Sequence, residues 1–152
     1  MRQYLRKIAA LILSCSFLIG AVAMSANAAP ERSSLYLSLY RAWLTPKNNG
    51  AINVNVDVQA VDDMDDIGAT SIVMYESSDG GSTWSAVRGY SSALYPNMLA
   101  HDTYLYYDTA VTHIGRPGKQ YYAIITIYAG DSTGYDTREY ITPIITAKWK
   151  GD

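Results

Sequence analysis

Ser77-Ser78-Asp79-Gly80-Gly81-Ser82-Thr83-Trp84 lies between two runs of β character, Ser71 to Glu76 before it and Trp84 to Val87 after it. Asp79 can accept hydrogen bonds from backbone amides of its own turn, and Gly80 and Gly81 can take up positive φ. Trp84 supplies a large ring to cover the strands that leave the turn. The octapeptide therefore predicts the turn of a central hairpin, with the rest of the chain laid around it as further strands.

Upstream, Ile52, Val54, Val56, Val58 and Ala60 alternate with Asn53, Asn55, Asp57 and Gln59. Strict period two with β-branched residues predicts a strand with one buried face. Before it, Leu35, Leu37 and Leu39 alternate with Tyr36, Ser38 and Tyr40, which predicts a second strand with the leucines inward. Trp43 and Leu44 follow, and Thr45-Pro46-Lys47-Asn48-Asn49-Gly50 reads as a turn. Asp62-Asp63-Met64-Asp65-Asp66-Ile67-Gly68 reads as an acidic loop. Downstream, Pro96 can start a single helical turn within Tyr95 to Leu99. Tyr104 to Val111 and Tyr121 to Ala129 are strand-like, and in the second Tyr121, Ala123, Ile125 and Ile127 share a face opposite Tyr122, Ile124, Thr126 and Tyr128. Gly130 to Asp136 reads as a polar loop and Glu139 to Ala147 as the last strand.

About seven short strands with regular turns and no long helical period predict an all-β fold, an antiparallel β-sandwich. Pro117-Gly118-Lys119-Gln120-Tyr121, with the alternation that follows, resembles the start of strand F in fibronectin type III domains. That resemblance implies an immunoglobulin/fibronectin III-like sandwich whose Tyr121 pins the preceding turn as a tyrosine corner. Ser77, Asp79, Gly81, Thr83 and Trp84 fit the S-x-D-x-G-x-T-W pattern called an Asp box. Sialidases carry several such boxes on propeller blades, but one copy in a domain of this size cannot build a propeller. The box is a structural turn. Met64-Asp65-Asp66-Ile67-Gly68, Tyr95-Pro96-Asn97-Met98-Leu99 and Tyr128-Ala129-Gly130-Asp131 resemble segments of an uncharacterised group of small secreted proteins from Gram-positive, clostridia-like bacteria. That likeness implies a secreted single domain and no particular activity.

Residues 1–28 read as an export signal. Arg2, Arg6 and Lys7 precede an apolar run from Ile8 to Met24, and Ala26-Asn27-Ala28 offers a small-x-small cleavage site. The run is short for a membrane anchor, so no stable span is expected after cleavage. The expected mature domain, residues 29–152, has 124 residues, enough for one packed core. Removing three leader cations from 12 Lys and Arg leaves nine against 14 Asp and Glu, a formal charge of −5. Nucleic acid and anionic membrane surfaces are poor partners for such a chain. Cys15, the only cysteine, falls in the leader, so no disulfide is expected.

The chain carries 14 Tyr against one Phe, and each Tyr adds a polar tip to an apolar ring. Tyr36, Tyr40, Tyr122 and Tyr128 are the candidates for an exposed platform that binds an extracellular glycan or protein, with Tyr104, Tyr106 and Tyr107 adding to the supply. The plainer alternative is that they form cross-strand pairs. Asp62, Asp63, Asp65 and Asp66, with Asp131 and Asp136, would lie at one pole of a sandwich and are the candidate Ca²⁺ ligands. Asp is also an ordinary turn residue, and the spacing is not that of an EF-hand loop. His101 and His113 have no partner at metal-ligand spacing, and no nucleophile elbow or mature Cys is present. The expectation is a secreted, non-enzymatic binding module without a cofactor. A self-assembling surface protein is the alternative, with a hydrolase behind it.

Overall fold

In the computed structural model, residues 34–151 are described, so the expected leader falls outside them. The described residues form seven strands: β1 (Leu37–Pro46), β2 (Ala51–Ser77), β3 (Ser85–Ser91), β4 (Leu99–Ile114), β5 (Gln120–Asp131), β6 (Gly134–Ile141) and β7 (Ile145–Thr146). Two single 3₁₀ turns, Asn48–Gly50 and Pro96–Met98, are the only helical residues among them. Every pairing is antiparallel, in one curled sheet.

β2 is the spine. Its first half pairs with β1 on one edge and β4 on the other, and its second half pairs with β5 and β3. The acidic segment expected as a loop is part of this strand. The ladder to β4 jumps from Gln59↔Leu105 to Met64↔Thr103, so β2 advances five residues while β4 advances two. Asp62 and Asp63 are the exposed crest of that bulge, and the chain bends there without leaving the sheet.

The inward alternation of Ile52 to Ala60 is as expected, all five being buried. In β1 the leucine row fails after Leu37. A register shift at Ser38, whose hydroxyl donates to the Gln59 and Ala60 carbonyls, puts Tyr40, Ala42 and Leu44 on the core side. Leu39 is consequently 46% exposed. Gly130 to Asp136 is no open loop either. β5 runs to Asp131 and β6 starts at Gly134, with the Asp131 carboxylate accepting bonds from the Thr133 and Gly134 amides. The last expected strand divides at Pro143, which cannot donate to a ladder. There Thr142 bonds to Ala123 through both its amide and its hydroxyl.

The two halves of the sheet bury one core, with Val54, Val56, Val58, Ile72, Met74, Ile125 and Ile127 fully covered. Each such side chain contributes about 1.5–3 kcal/mol relative to exposure. Gly68 (φ 141°) lies where the Met98 carbonyl approaches, a space that a Cβ would fill. Met98 and Tyr106 pack there, and the Tyr106 hydroxyl donates to the Asn97 carbonyl at 2.8 Å. Burial, then the nearby Asp108 charge, pushes the Tyr106 phenol up to about 12.

The β4–β5 turn is pinned from inside. The Tyr121 hydroxyl accepts the Arg116 amide at 2.7 Å and donates to the Glu76 carboxylate, which also pairs with the Arg116 guanidinium. The Arg116 hydrogen bond first, and then that of Tyr121, holds the Glu76 carboxyl below its usual value against the opposing effect of burial. Tyr121→Phe removes both hydroxyl bonds and should cost about 1–3 kcal/mol, read as a lower urea midpoint at unchanged slope. Glu76, Asp79, Asp131 and Asp136 all have lowered pKa values in the fold. A lowered folded-state pKa gives stability that is complete above the unfolded value and lost as pH falls through the folded one. His113, kept neutral by burial, obeys the same rule, so the unfolding midpoint should begin to fall as pH drops below about 6.5 and fall again, through the carboxylates, below about pH 4.

Candidate functional site

The face of the first half that points away from the core is a grid of three strands. Register places Trp43, Asn55 and Thr109 in one row and Arg41, Asp57 and Tyr107 in the next. Thr45, Asn53 and Thr112 flank the first row, and Leu39, Gln59 and Leu105 flank the second. The polar positions of the Ile52–Ala60 alternation thus form the centre of the grid, because period two sends them all outward.

These side chains hold one another. Asn55 donates to Thr45 Oγ1 at 2.9 Å and to the Trp43 carbonyl, and accepts from Thr109 Oγ1 at 2.9 Å. Thr112 donates to Asn53 Oδ1 at 3.1 Å. Arg41 Nε donates to Asp57 Oδ2 at 2.6 Å and lies 5.5 Å from the Trp43 ring centre. The Trp43 and Tyr107 rings are 6.1 Å apart and tilted by 43°, and Tyr107 is 62% exposed. A shallow cavity of about 160 Å³ opens between them, lined by Trp43, Asn55, Tyr107, Asp108 and Thr109. Such a surface offers apolar ring faces beside fixed donors and acceptors, which suits a ligand that is itself apolar on one side and hydroxylated at its edge.

The four tyrosines singled out in the sequence do not share this face. Tyr122 and Tyr128 both point outward from β5, but six residues apart, about 20 Å. Tyr122 stacks on Tyr75 (4.8 Å, 1°) and receives Trp84 edge-on at 4.7 Å, while Tyr128 stacks on Tyr135. Tyr40 lies on the core side of β1 against Tyr140, and the Tyr36 hydroxyl meets Thr133 Oγ1 at 3.2 Å. Cross-strand pairing, the plainer reading of the tyrosines, describes Tyr122 directly, since Tyr75 is its register partner. Of the extra tyrosines, Tyr106 is buried, while Tyr104 and Tyr107 are exposed. The signal for this grid was available in the outward Asn53-Asn55-Asp57-Gln59 row next to Trp43. What could not be read was that β4 would bring Tyr107 alongside.

The Ser77–Trp84 turn has the geometry expected of its residues. Asp79 accepts from the Thr83 amide (2.9 Å), the Thr83 hydroxyl (2.6 Å) and the Ser77 hydroxyl (2.7 Å), bonds that hold its carboxyl far below the usual range. The Gly81 amide donates to Ser77 Oγ at 2.8 Å, Gly80 and Gly81 have φ of 74° and 93°, and Trp84 Nε1 closes on the Gly81 carbonyl. Trp84 reaches beyond the hairpin to cover β5. With Tyr122, Ile141, Thr142, Pro143 and Ile144 it lines an open apolar groove of about 450 Å³.

The acidic residues are dispersed among separate partners. Asp66 bonds His101 Nδ1 at 2.6 Å, Asp131 caps its own hairpin, and Asp136 takes the Ser34 hydroxyl and the amides of Leu35 and Tyr36. Asp62 accepts from the Asp63 amide. Asp65, Asp66 and Asp131 share one end of the sheet around Tyr128, whose phenol is pushed up by burial and by their charges. Among the described residues no three His, Cys, Asp or Glu side chains are grouped closely enough to hold a metal ion. No protein-family model matches the chain, and no curated protein matches it significantly in sequence. A thermal midpoint that is the same in EDTA and in millimolar Ca²⁺ is the expected outcome. A rise of several degrees would place a cation among Asp65, Asp66 and Asp131.

Proposed function

We propose that the protein is a secreted, non-enzymatic binding module that holds an extracellular glycan on the Trp43–Tyr107 face. The carrying observation is the pair of rings, 6.1 Å apart, set beside Asn55, Asp57, Arg41 and Thr109 on a three-stranded surface. A protein hot spot favours a dehydrated apolar centre with charges at the rim. Here the centre is amides, hydroxyls and an ion pair, which matches the edge of a sugar ring, while the aromatic faces match its C–H side. The mutual hydrogen bonds of the grid fix these groups before a ligand arrives, which lowers the ordering cost of binding. Export is supported by the charged, apolar and small-x-small order of residues 2–28.

In fold, the reading is an immunoglobulin/fibronectin III-like sandwich. What supports it is the grouping of the pairings: β1, the first part of β2 and β4 make a three-stranded set, and β3, the rest of β2, β5 and β6 a four-stranded one. Three strands against four, with Tyr121 pinning the turn before β5, agree with that architecture. The unbroken passage of β2 between the halves is the departure from it. A second reading, self-assembly, is favoured by the β6–β7 edge, where Ile141 and Ile144 are 65% and 56% exposed. Light scattering that shows a monomer at high concentration would remove it.

On a polysaccharide array, Trp43→Ala and Tyr107→Ala should each weaken binding at least tenfold, about 1.4 kcal/mol. Tyr122→Ala, spent on the Tyr75 stack, should leave it unchanged. Binding that survives both platform substitutions would sink the glycan reading of this face.

A further inference from the structure

The described residues contain four arginines, and three of them are neutralised within the fold: Arg41 by Asp57, Arg116 by Glu76 and Arg138 by Asp136. Arg88, on β3, has no carboxylate partner among the described residues. It donates from Nη2 to the Tyr95 hydroxyl at 3.1 Å, and its guanidinium lies 5.5 Å from the Tyr90 ring centre. These two contacts fix the plane of the fork while leaving its other N–H groups unspent. Arg88 is thus the one described arginine outside an ion pair, and its guanidinium is oriented by two tyrosines instead.

Arg88 borders a cavity of about 430 Å³ between β3 and β4, lined also by Tyr90, Tyr95, His113, Thr112, Val87 and Ile114. This volume is within the range of small-ligand sites and suits a single sugar-sized molecule. His113 is 7% exposed. Its Nδ1 is 3.0 Å from the Tyr90 hydroxyl, and its Nε2 has no hydrogen-bond partner among the described residues. Burial keeps the ring mostly neutral, against the pull of Glu76. In the tautomer in which Tyr90 donates to Nδ1, the neutral ring carries its proton on Nε2; in the other, Nδ1–H donates to Tyr90 and Nε2 accepts. Val87 and Ile114, 43% and 71% exposed, form apolar lips. The arrangement is an unpaired, oriented cation in a half-apolar hollow, with a histidine ring on the same wall.

We infer that the β3–β4 cavity binds a small ligand bearing an oxyanion group, with Arg88 as the fork that receives the anion and His113 as a wall of the same site. Charge-assisted bonds from a guanidinium to a carboxylate or phosphate are about twice as strong as neutral ones and are commonly bidentate. A monosaccharide acid satisfies both the charge and the volume. The inference does not depend on the Trp43 and Tyr107 rings: of the cavity's lining only Thr112 also belongs to the grid, at its edge, and Arg88, Tyr90, Tyr95 and His113 do not.

The test is calorimetric titration of the protein with glucuronate, glucose and inorganic phosphate at constant ionic strength. Glucuronate should bind at least tenfold more tightly than glucose. Arg88→Gln should abolish that preference, Arg88→Lys should keep only part of it, and Tyr95→Phe should weaken it severalfold. Arg88 and its substitutes lie at the surface, so folding is not at stake, and circular dichroism of each variant verifies it. Phosphate that competes as well as glucuronate would mean that the site reads the oxyanion alone; glucuronate without phosphate would mean that it reads a carboxylate on a sugar ring. Trp43→Ala should leave all of these titrations unchanged, which separates failure of this site from failure of the glycan face. Equal affinity for glucose and glucuronate, or an anion preference that survives Arg88→Gln, would overturn the inference.

Discussion

β1, β3, β4 and β5 all pair with β2, and β6 and β7 are attached through β5, so the molecule depends on one strand keeping its faces in order through a bend. That order is not a simple alternation. Ile52 to Ala60 and Met64 are buried at even positions, Ile67 and Ala69 at odd ones, and Ile72 and Met74 at even ones again. A one-residue slip in a strand exchanges its two faces. Two register shifts bracket the odd-phase stretch, one between Gln59 and Met64 and one between Ala69 and Ser71. Between the two, Ile67, Gly68 and Ala69 are covered on both sides, which explains the small residues there. The bend is possible because the extra residues, Val61 to Asp63, can be left to solvent.

At the far end of the same strand a charge is buried on purpose. Glu76 is 8% exposed, and without Arg116 and Tyr121 its carboxylate would be an unpaired charge at the edge of the core. A buried ion pair gives little net stability, but removing one partner is costly. What the cluster supplies is position. It joins the end of β2, the β4–β5 turn and the start of β5, and the Asp79-centred turn begins one residue after Ser77, where β2 stops. Two hydrogen-bonded turns therefore flank the same end, each closed by its own side chains, and strand β5 is held in register between them.

The strands were legible wherever a single period ran undisturbed. Ile52 to Ala60 and Tyr121 to Ala129 show the alternation directly, and Pro96 marked a real turn because its ring presets φ. The errors share one cause. At Ser38, at Asp62–Asp63 and at Thr70 a bulge changes phase, and nothing in local composition distinguishes a bulged strand from a loop or from a strand in the other phase. Acidic residues read as a loop because they avoid strands on average, yet an exposed crest on a bent strand tolerates them. The four tyrosines lie apart for the same reason in part. Tyr40 was placed outward by an alternation that Ser38 interrupts, and the partners of Tyr122 and Tyr128 come from strands distant in sequence.

Which aromatic rings remain for function is then decided by what the fold has already used. Tyr106 and Tyr121 have hydroxyls fixed on backbone groups or Glu76, and their rings are core. Trp84 is held by its own turn through Gly81 and spends its edge on Tyr122, whose ring is in turn flat against Tyr75. Each of these contacts supports a strand pair or a turn, so the fold alone accounts for the residue. Tyr107 differs. It is 62% exposed, its nearest ring is a tilted Trp43, and no hydrogen bond holds its hydroxyl among the described residues. An exposed ring is ordinary on a protein surface; what sets Tyr107 apart is the Trp43 ring beside it and the hydrogen-bonded Asn55 and Thr109 in the next row. The surrounding Asn55 and Thr109 hold one another, and Arg41 is held by the buried Asp57, so this surface keeps its shape through its own hydrogen bonds.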